Sequence, residues 1–164
     1  MAFPFDIKEP LDEAVDMGWT PFGRHIGLKV YGFSDDEIYT GLAWREELIG
    51  NPQNMSVHGG VITALIDQSF GAAVIRKLQE HIAIATIELR LDYMRPAKPY
   101  QDIYCRATCY HTTRQIAFLR GSVFQDDPEK PIASGVATFM INANRSAPPI
   151  DANREALMKR GGQS

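Results

Sequence analysis

Chemistry is concentrated in one stretch of this chain, Val57-His58-Gly59-Gly60-Val61-Ile62-Thr63-Ala64-Leu65-Ile66-Asp67. Tandem glycines let a backbone turn sharply and approach a ligand closely. If a helix starts there, its first N–H groups lack intrahelical partners and lie at the positive end of the helix dipole. Such groups can donate to a carbonyl oxygen and stabilise it as it becomes an oxyanion. Asp67 follows Gly60 by seven residues. That is close to two helical turns, so Gly60, Thr63 and Asp67 share a face and the acid stands roughly 10 Å along the axis from the donors. Asp67 is the only charged residue between His58 and Val74. A carboxylate in so apolar a stretch needs a partner or has a task. Pairing with a strand arginine would also satisfy it, and a Gly-Gly pair alone is compatible with a plain tight turn.

The elements that must position these groups follow from periodicity. The segment from His58 to Gln79 is the longest helical candidate, and its first turns are apolar on nearly every side, as in a buried helix. Two strand candidates precede it, His25 to Tyr31 and Ile38 to Trp44, joined at Ser34-Asp35-Asp36, and the stretch from Glu46 to Val57 reads as loop. After the helix, Thr86 to Met94 alternates, with Ile87, Leu89, Leu91 and Tyr93 on one face and Thr86, Glu88, Arg90 and Asp92 on the other. Strands are also expected over Ile103 to Tyr110, Ile116 to Phe124 and Pro131 to Ile141, forming with the first a four-strand antiparallel meander. The fold class is therefore α+β, an antiparallel sheet of about six strands wrapped around one long helix. The expected organisation is an N-terminal extension over 1–24, with a short helix from Glu9 to Met17, one domain over 25–143, and a tail over 144–164 carrying a short helix from Asp151 to Lys159.

Composition narrows the functional classes. The 164 residues suit one domain. A net charge of −3 argues against a nucleic-acid partner, although a local basic patch can still meet a small anion. Arg95, Lys98 and Arg114 end or connect strands and together make such a patch. Cys105 and Cys109 complete no metal-ligand spacing and read as core residues, so no metal is expected. No apolar run reaches the length of a membrane span or signal peptide, and the expectation is a cytoplasmic protein without a membrane partner. Ser69 lacks a base and acid at a triad-like spacing.

The stretch Asn51 to Gly71, NPQNMSVHGGVITALIDQSFG, resembles the signature of the PaaI-like branch of hotdog-fold acyl-CoA thioesterases: a loop Asn, His-Gly-Gly, and a hydrophobic helix with an acid nine residues after the His. Tyr93-Met94-Arg95-Pro96 and Ile132 to Thr138 are similar to later strands of the family, and the resemblance spans Phe22 to Ile141. It implies hydrolysis of acyl-CoA to the acid and free CoA without a cofactor. The N–H of Gly59 or Gly60 would polarise the thioester carbonyl, and Asp67 would act as general base or nucleophile. Thr86 would assist from the partner subunit, His58 would shape the loop, and Asn51 would fill the family's loop Asn role. That last assignment is displaced by one residue, because Pro52 stands where the family has Asn or Gln, and Gln53 and Asn54 lie nearer the His.

The groups expected to touch substrate are Asn54, Thr63 and Phe70, with Tyr93 and Phe118 also shaping the pocket. Those expected to hold CoA are Arg95, Pro96, Lys98, Arg114 and Gln115. A homodimer or homotetramer follows, since one helix cannot cover both faces of six strands. Two rival functions remain, a hotdog hydratase or dehydratase, which would pair a catalytic His with an acid, and a non-catalytic acyl-CoA-binding hotdog protein, which would need no Asp67.

Overall fold

A computed structural model describes residues 20–34, 36–80 and 82–142. The expected helices at Glu9 to Met17 and Asp151 to Lys159 lie outside them. The elements are α1 Pro21–Ile26, β1 Lys29–Phe33, β2 Glu37–Leu42, a 3-10 turn Glu46–Leu48, β3 Ile49–Asn51, β4 Ser56–Val57, α2 Gly59–Leu78, β5 Ile84–Tyr93, β6 Ile103–Thr112, β7 Ile116–Phe124 and β8 Ala133–Ile141. Six strands form one antiparallel sheet in the order β1-β2-β6-β7-β8-β5, and β3 and β4 form a separate small hairpin. The long helix and six-stranded antiparallel sheet agree with the expected hotdog architecture. Among the described residues no helix is long and apolar enough to cross a membrane.

The helix lies on the sheet because both surfaces are shaped for it. Ile62, Leu65, Ile66, Ser69, Phe70, Ala73 and Val74 recur at the spacing of one helix face and are buried. Beneath them the sheet offers small residues. A Cβ at Gly121 would stand 2.7 Å from Phe70 Cε1, and one at Gly135 would stand 2.9 Å from Ile66 Cδ1. Full burial of each large side chain contributes about 1.5–3 kcal/mol. The far end of α2 is fixed by Arg76, whose guanidinium sits 4.4 Å from the Phe33 ring centroid and donates to the Ser34 carbonyl, and by an ion pair of Lys77 with Asp36. Both cations also suit the negative end of the helix dipole.

Three sequence expectations are corrected. First, the segment starting at His25 is not strand from its outset: Pro21–Ile26 is a helix capped by Thr20, whose hydroxyl accepts from the Gly23 N–H. Gly23 and Ile26 are buried, and the Thr20 hydroxyl donates to Gln68 of α2, so the packed structure begins before residue 25. Second, the post-helix strands are not a four-strand meander. Only β6-β7-β8 follow one another, while β5 crosses the sheet to pair with β8 and β2 takes the place beside β6. Strand periodicity reports which face a residue occupies and nothing about which neighbour the strand chooses. Third, β5 does not alternate throughout. Thr86 pairs with Phe139 and Glu88 with Thr138, which leaves Ile87 as an extra, bulged residue. The bulge reverses the phase ahead of it. Thr86 therefore shares the helix-facing side with Leu89, Leu91 and Tyr93, opposite the buried Phe139, Ala137, Gly135 and Ala133.

Candidate active site

Helix α2 begins at Gly59 with His58 as its N-cap. The imidazole Nδ1 of His58 accepts from the Gly60 N–H at 2.9 Å, so its ring proton sits on Nε2. The His58 carbonyl accepts from the Val61 N–H at 2.9 Å, and the His58 N–H donates to the Leu48 carbonyl, tying the helix entry to the β3 side. Among the described residues nothing accepts from the Gly59 N–H. The sequence leaves both glycine amides as candidate oxyanion donors. Among the described residues Gly59 is left free and Gly60 is engaged, because a β-region cap residue with a side-chain acceptor reaches the N2 amide.

Two hydroxyls hold the other side of this turn. Tyr93 Oη donates to the Gly59 carbonyl at 2.8 Å, Thr63 Oγ1 donates to the same carbonyl at 3.1 Å, and the two hydroxyl oxygens stand 2.8 Å apart. Thr63, expected beside the substrate, is spent largely within the protein. Tyr93, expected only to shape a pocket, grips the helix start. The signal for that role is its place as the last residue on the apolar face of β5, facing the start of the helix.

Asp67 is half-buried on α2, and its Oδ1 accepts from Thr86 Oγ1 at 2.8 Å. Alternation puts Thr86 on the outer face of β5 and the family resemblance puts it in a partner's site. The bulge at Ile87 turns it instead toward Asp67 of its own chain. Asp67 Oδ2 is engaged by no described residue. No His–acid pair of the kind a hydratase uses is formed among the described residues, since His58 caps the helix and Asp67 bonds Thr86.

The remaining expected residues divide. Asn51 and Asn54 lie on the exposed β3–β4 hairpin, where their side chains accept from the Gln53 and Ser56 N–H groups. Phe70 is fully buried against Gly121 and packs in the core between helix and sheet. Phe118 lies on the sheet face turned from the helix, near Tyr110 and His111. The basic patch separates. Arg95 follows β5, where it donates to the Lys130 carbonyl, and Lys98 pairs with Asp126 at 3.0 Å, with the exposed Pro96 between them. Arg114 and Gln115 lie in the β6–β7 turn, where the Gln115 carbonyl accepts from the Ile141 N–H. The two ends differ by the length of β7, nine residues or roughly 27 Å. Residues that all flank strands need not flank the same ends.

The buried groups behind the site are inert. Burial pushes the Cys105 thiol up to about 12, partly offset by a hydrogen bond with Ser69, and pushes Cys109 up to about 11. Ser69 is hydrogen-bonded to Thr40 and to the Leu65 carbonyl, with no base beside it.

A long helix packed against a six-stranded antiparallel sheet in this order is the hotdog architecture. Residues 54–132 match the thioesterase superfamily. A solved protein described as from that superfamily is 32% identical, covers 74% of this chain and 89% of its own, and superposes with a TM-score of 0.68. A crystal structure from Pseudomonas aeruginosa is 39% identical over 73% of this chain and 88% of that one, with a TM-score of 0.67. The phenylacetic acid degradation protein PaaI of Thermus thermophilus, solved as a mutant, is 25% identical over 74% of this chain and 98% of that one, with a TM-score of 0.63. The medium/long-chain acyl-CoA thioesterase YigI of Salmonella typhimurium is 26% identical over 74% of this chain and 85% of its own length. A relative from Halobacterium salinarum is 37% identical over 76 residues, and the match spans half that relative's length. The chain belongs to the thioesterase superfamily, in its PaaI-like hotdog branch.

Proposed function

We propose that the protein hydrolyses acyl-CoA thioesters to a carboxylic acid and free CoA, using Asp67 as general base and the Gly59 N–H as oxyanion donor. The observation that carries this reading is the Thr86–Asp67 hydrogen bond. It orients one carboxylate oxygen and leaves the other, Oδ2, for a proton. Water adds to the thioester carbon as its proton passes to Oδ2. The developing oxyanion accepts a hydrogen bond from the Gly59 N–H, the C–S bond breaks, and the proton on Oδ2 passes to the departing CoA sulfur, which restores the carboxylate. Direct attack by Oδ2 would use the same oxygen, and single-turnover hydrolysis in 18O-water separates the routes by whether label enters the protein.

Within one chain these two groups are about 12 Å apart along the helix, too far to act on one carbonyl. The reading therefore includes a two-fold dimer in which the amide of one α2 meets the carboxylate of the other. The ten-residue strand β5 supports this, because among the described residues it ends the sheet with an unpaired edge and exposes Ile87, Tyr93 and Met94 beside it. The substrate class rests on the superfamily and on the names of relatives such as YigI. The test is thiol release from a panel of acyl-CoAs by wild-type protein and a folded Asp67→Asn variant, with light scattering at micromolar concentration. Wild-type turnover in the variant, or full activity in a monomer, overturns the proposal.

A further inference from the structure

We propose that the Tyr93 and Thr63 hydroxyls are positioning groups that lock the first turn of α2 so that the Gly59 N–H points at the substrate carbonyl; this rests on the thioesterase reading above. Two consecutive glycines place the site's donor on backbone with little intrinsic constraint. Left alone, such a turn frays, and a donor that must reorient during reaction gives up the advantage of preorganisation.

The structure removes that freedom one peptide plane at a time. The His58–Gly59 peptide is held through its carbonyl, which accepts from Val61. The Gly59–Gly60 peptide is held at both ends, with its N–H on His58 Nδ1 and its carbonyl on Tyr93 and Thr63. Because each peptide is planar, fixing both planes fixes the direction of the one amide left over, that of Gly59.

The hydroxyl pair is built with redundancy. Three oxygen–oxygen contacts share two hydroxyl protons. If Tyr93 donates to Gly59, Thr63 can donate to Tyr93; if Thr63 donates to Gly59, Tyr93 can donate to Thr63. Either arrangement ends in a donor on the Gly59 carbonyl, and the upstream bond polarises the downstream one. Tyr93 also lies close over the turn: a Cβ at residue 59 would stand 3.5 Å from its Oη. The tyrosine stands at the end of β5, opposite Ala133, so the lock ties the helix start to the sheet.

The experiment compares wild type with Tyr93→Phe, Thr63→Val and the double variant, using thiol release, amide hydrogen exchange and thermal melting. Each single change should lower kcat by about 3-fold to 10-fold, and the double by more than the product of the two, because the hydroxyls substitute for one another. KM should stay within about twofold, since in this proposal both groups act on the turn and not on the substrate. Exchange at Gly60 and Val61 should quicken by about 10-fold in the double variant while Ile66 to Val74 keep their protection. Thr63→Ser should restore the Thr63→Val loss. A folded double variant with kcat within about twofold of wild type and unchanged exchange overturns the proposal. So does a rise in KM at constant kcat, which would place the hydroxyls on the substrate. If wild type releases no thiol from any acyl-CoA, the thioesterase reading fails, and the exchange measurement alone decides whether the lock exists.

Discussion

The two halves of the candidate site are held in opposite ways. The helix start is over-determined: His58, Thr63 and Tyr93 grip a single glycine peptide. The carboxylate two turns away has one partner among the described residues, Thr86, standing on an edge strand at a bulge. In the proposed mechanism the donor end must not move, because its value lies in being aimed before charge develops. The acid end would exchange a proton, and a lightly held carboxylate suits that task. On that reading rigidity falls where the field is needed, and freedom where the proton would travel.

The largest effect should come from breaking the acid half. Asp67→Asn should lower thiol release by about 10²–10⁴-fold with substrate binding little changed, since the donors remain. The melting temperature should not fall, because the amide keeps the Thr86 contact without a half-buried charge. Next is the donor half. Gly59→Pro deletes the one free amide at the first helical position, where proline is tolerated, and should cost about 10²–10³-fold in kcat. The two variants together sharpen the comparison. Mixed dimers of Asp67→Asn and Gly59→Pro should regain one working site of two, whereas Asp67→Asn mixed with Thr86→Ala should regain none, because Asp67 and Thr86 belong to one chain. Complementation by the second pair under proven subunit exchange would return Thr86 to the partner's site.

A smaller loss follows from Thr86→Ala, about 10-fold to 100-fold in kcat for one orienting hydrogen bond. Thr86→Ser should recover most of it. The smallest effect concerns the core behind both halves. Cys105 and Cys109 are raised from an ordinary 9.0 to about 12 and about 11 by burial, and Tyr31 and Tyr39 from 10.0 to about 12 by burial and, for Tyr39, by Glu37. A raised folded-state value means that the stability linked to these groups is whole below their unfolded values and is lost as pH rises through the folded ones. Melting temperature should therefore decline from about pH 9 toward pH 12. Iodoacetamide should leave both thiols unmodified at pH 8 in folded protein, and rapid labelling of either would contradict their burial.

Much of this protein was legible in its sequence, because the deciding interactions are local. The helix from Gly59, its apolar face, the strand of Ile116–Phe124 and the separation of Asp67 from the helix start depend on periods of 3.6 and 2 and on the glycines that open the turn. The sequence could also single out Asp67, since a lone carboxylate in an apolar stretch is visible without a fold.

Tertiary structure alone decided three things. Strand order is a choice among neighbours far apart in the chain, so nothing in β5 declared that it would bind β8 and become an edge. The bulge at Ile87 is a register shift against β8, invisible to an alternation that assumes one phase, and it alone turns Thr86 toward Asp67. The division of the glycine amides, Gly60 engaged and Gly59 free, depended on where the His58 ring and the Tyr93 hydroxyl came to rest. Local periodicity fixes which face a residue occupies, while register and partner choice are set by contacts between residues distant in the chain.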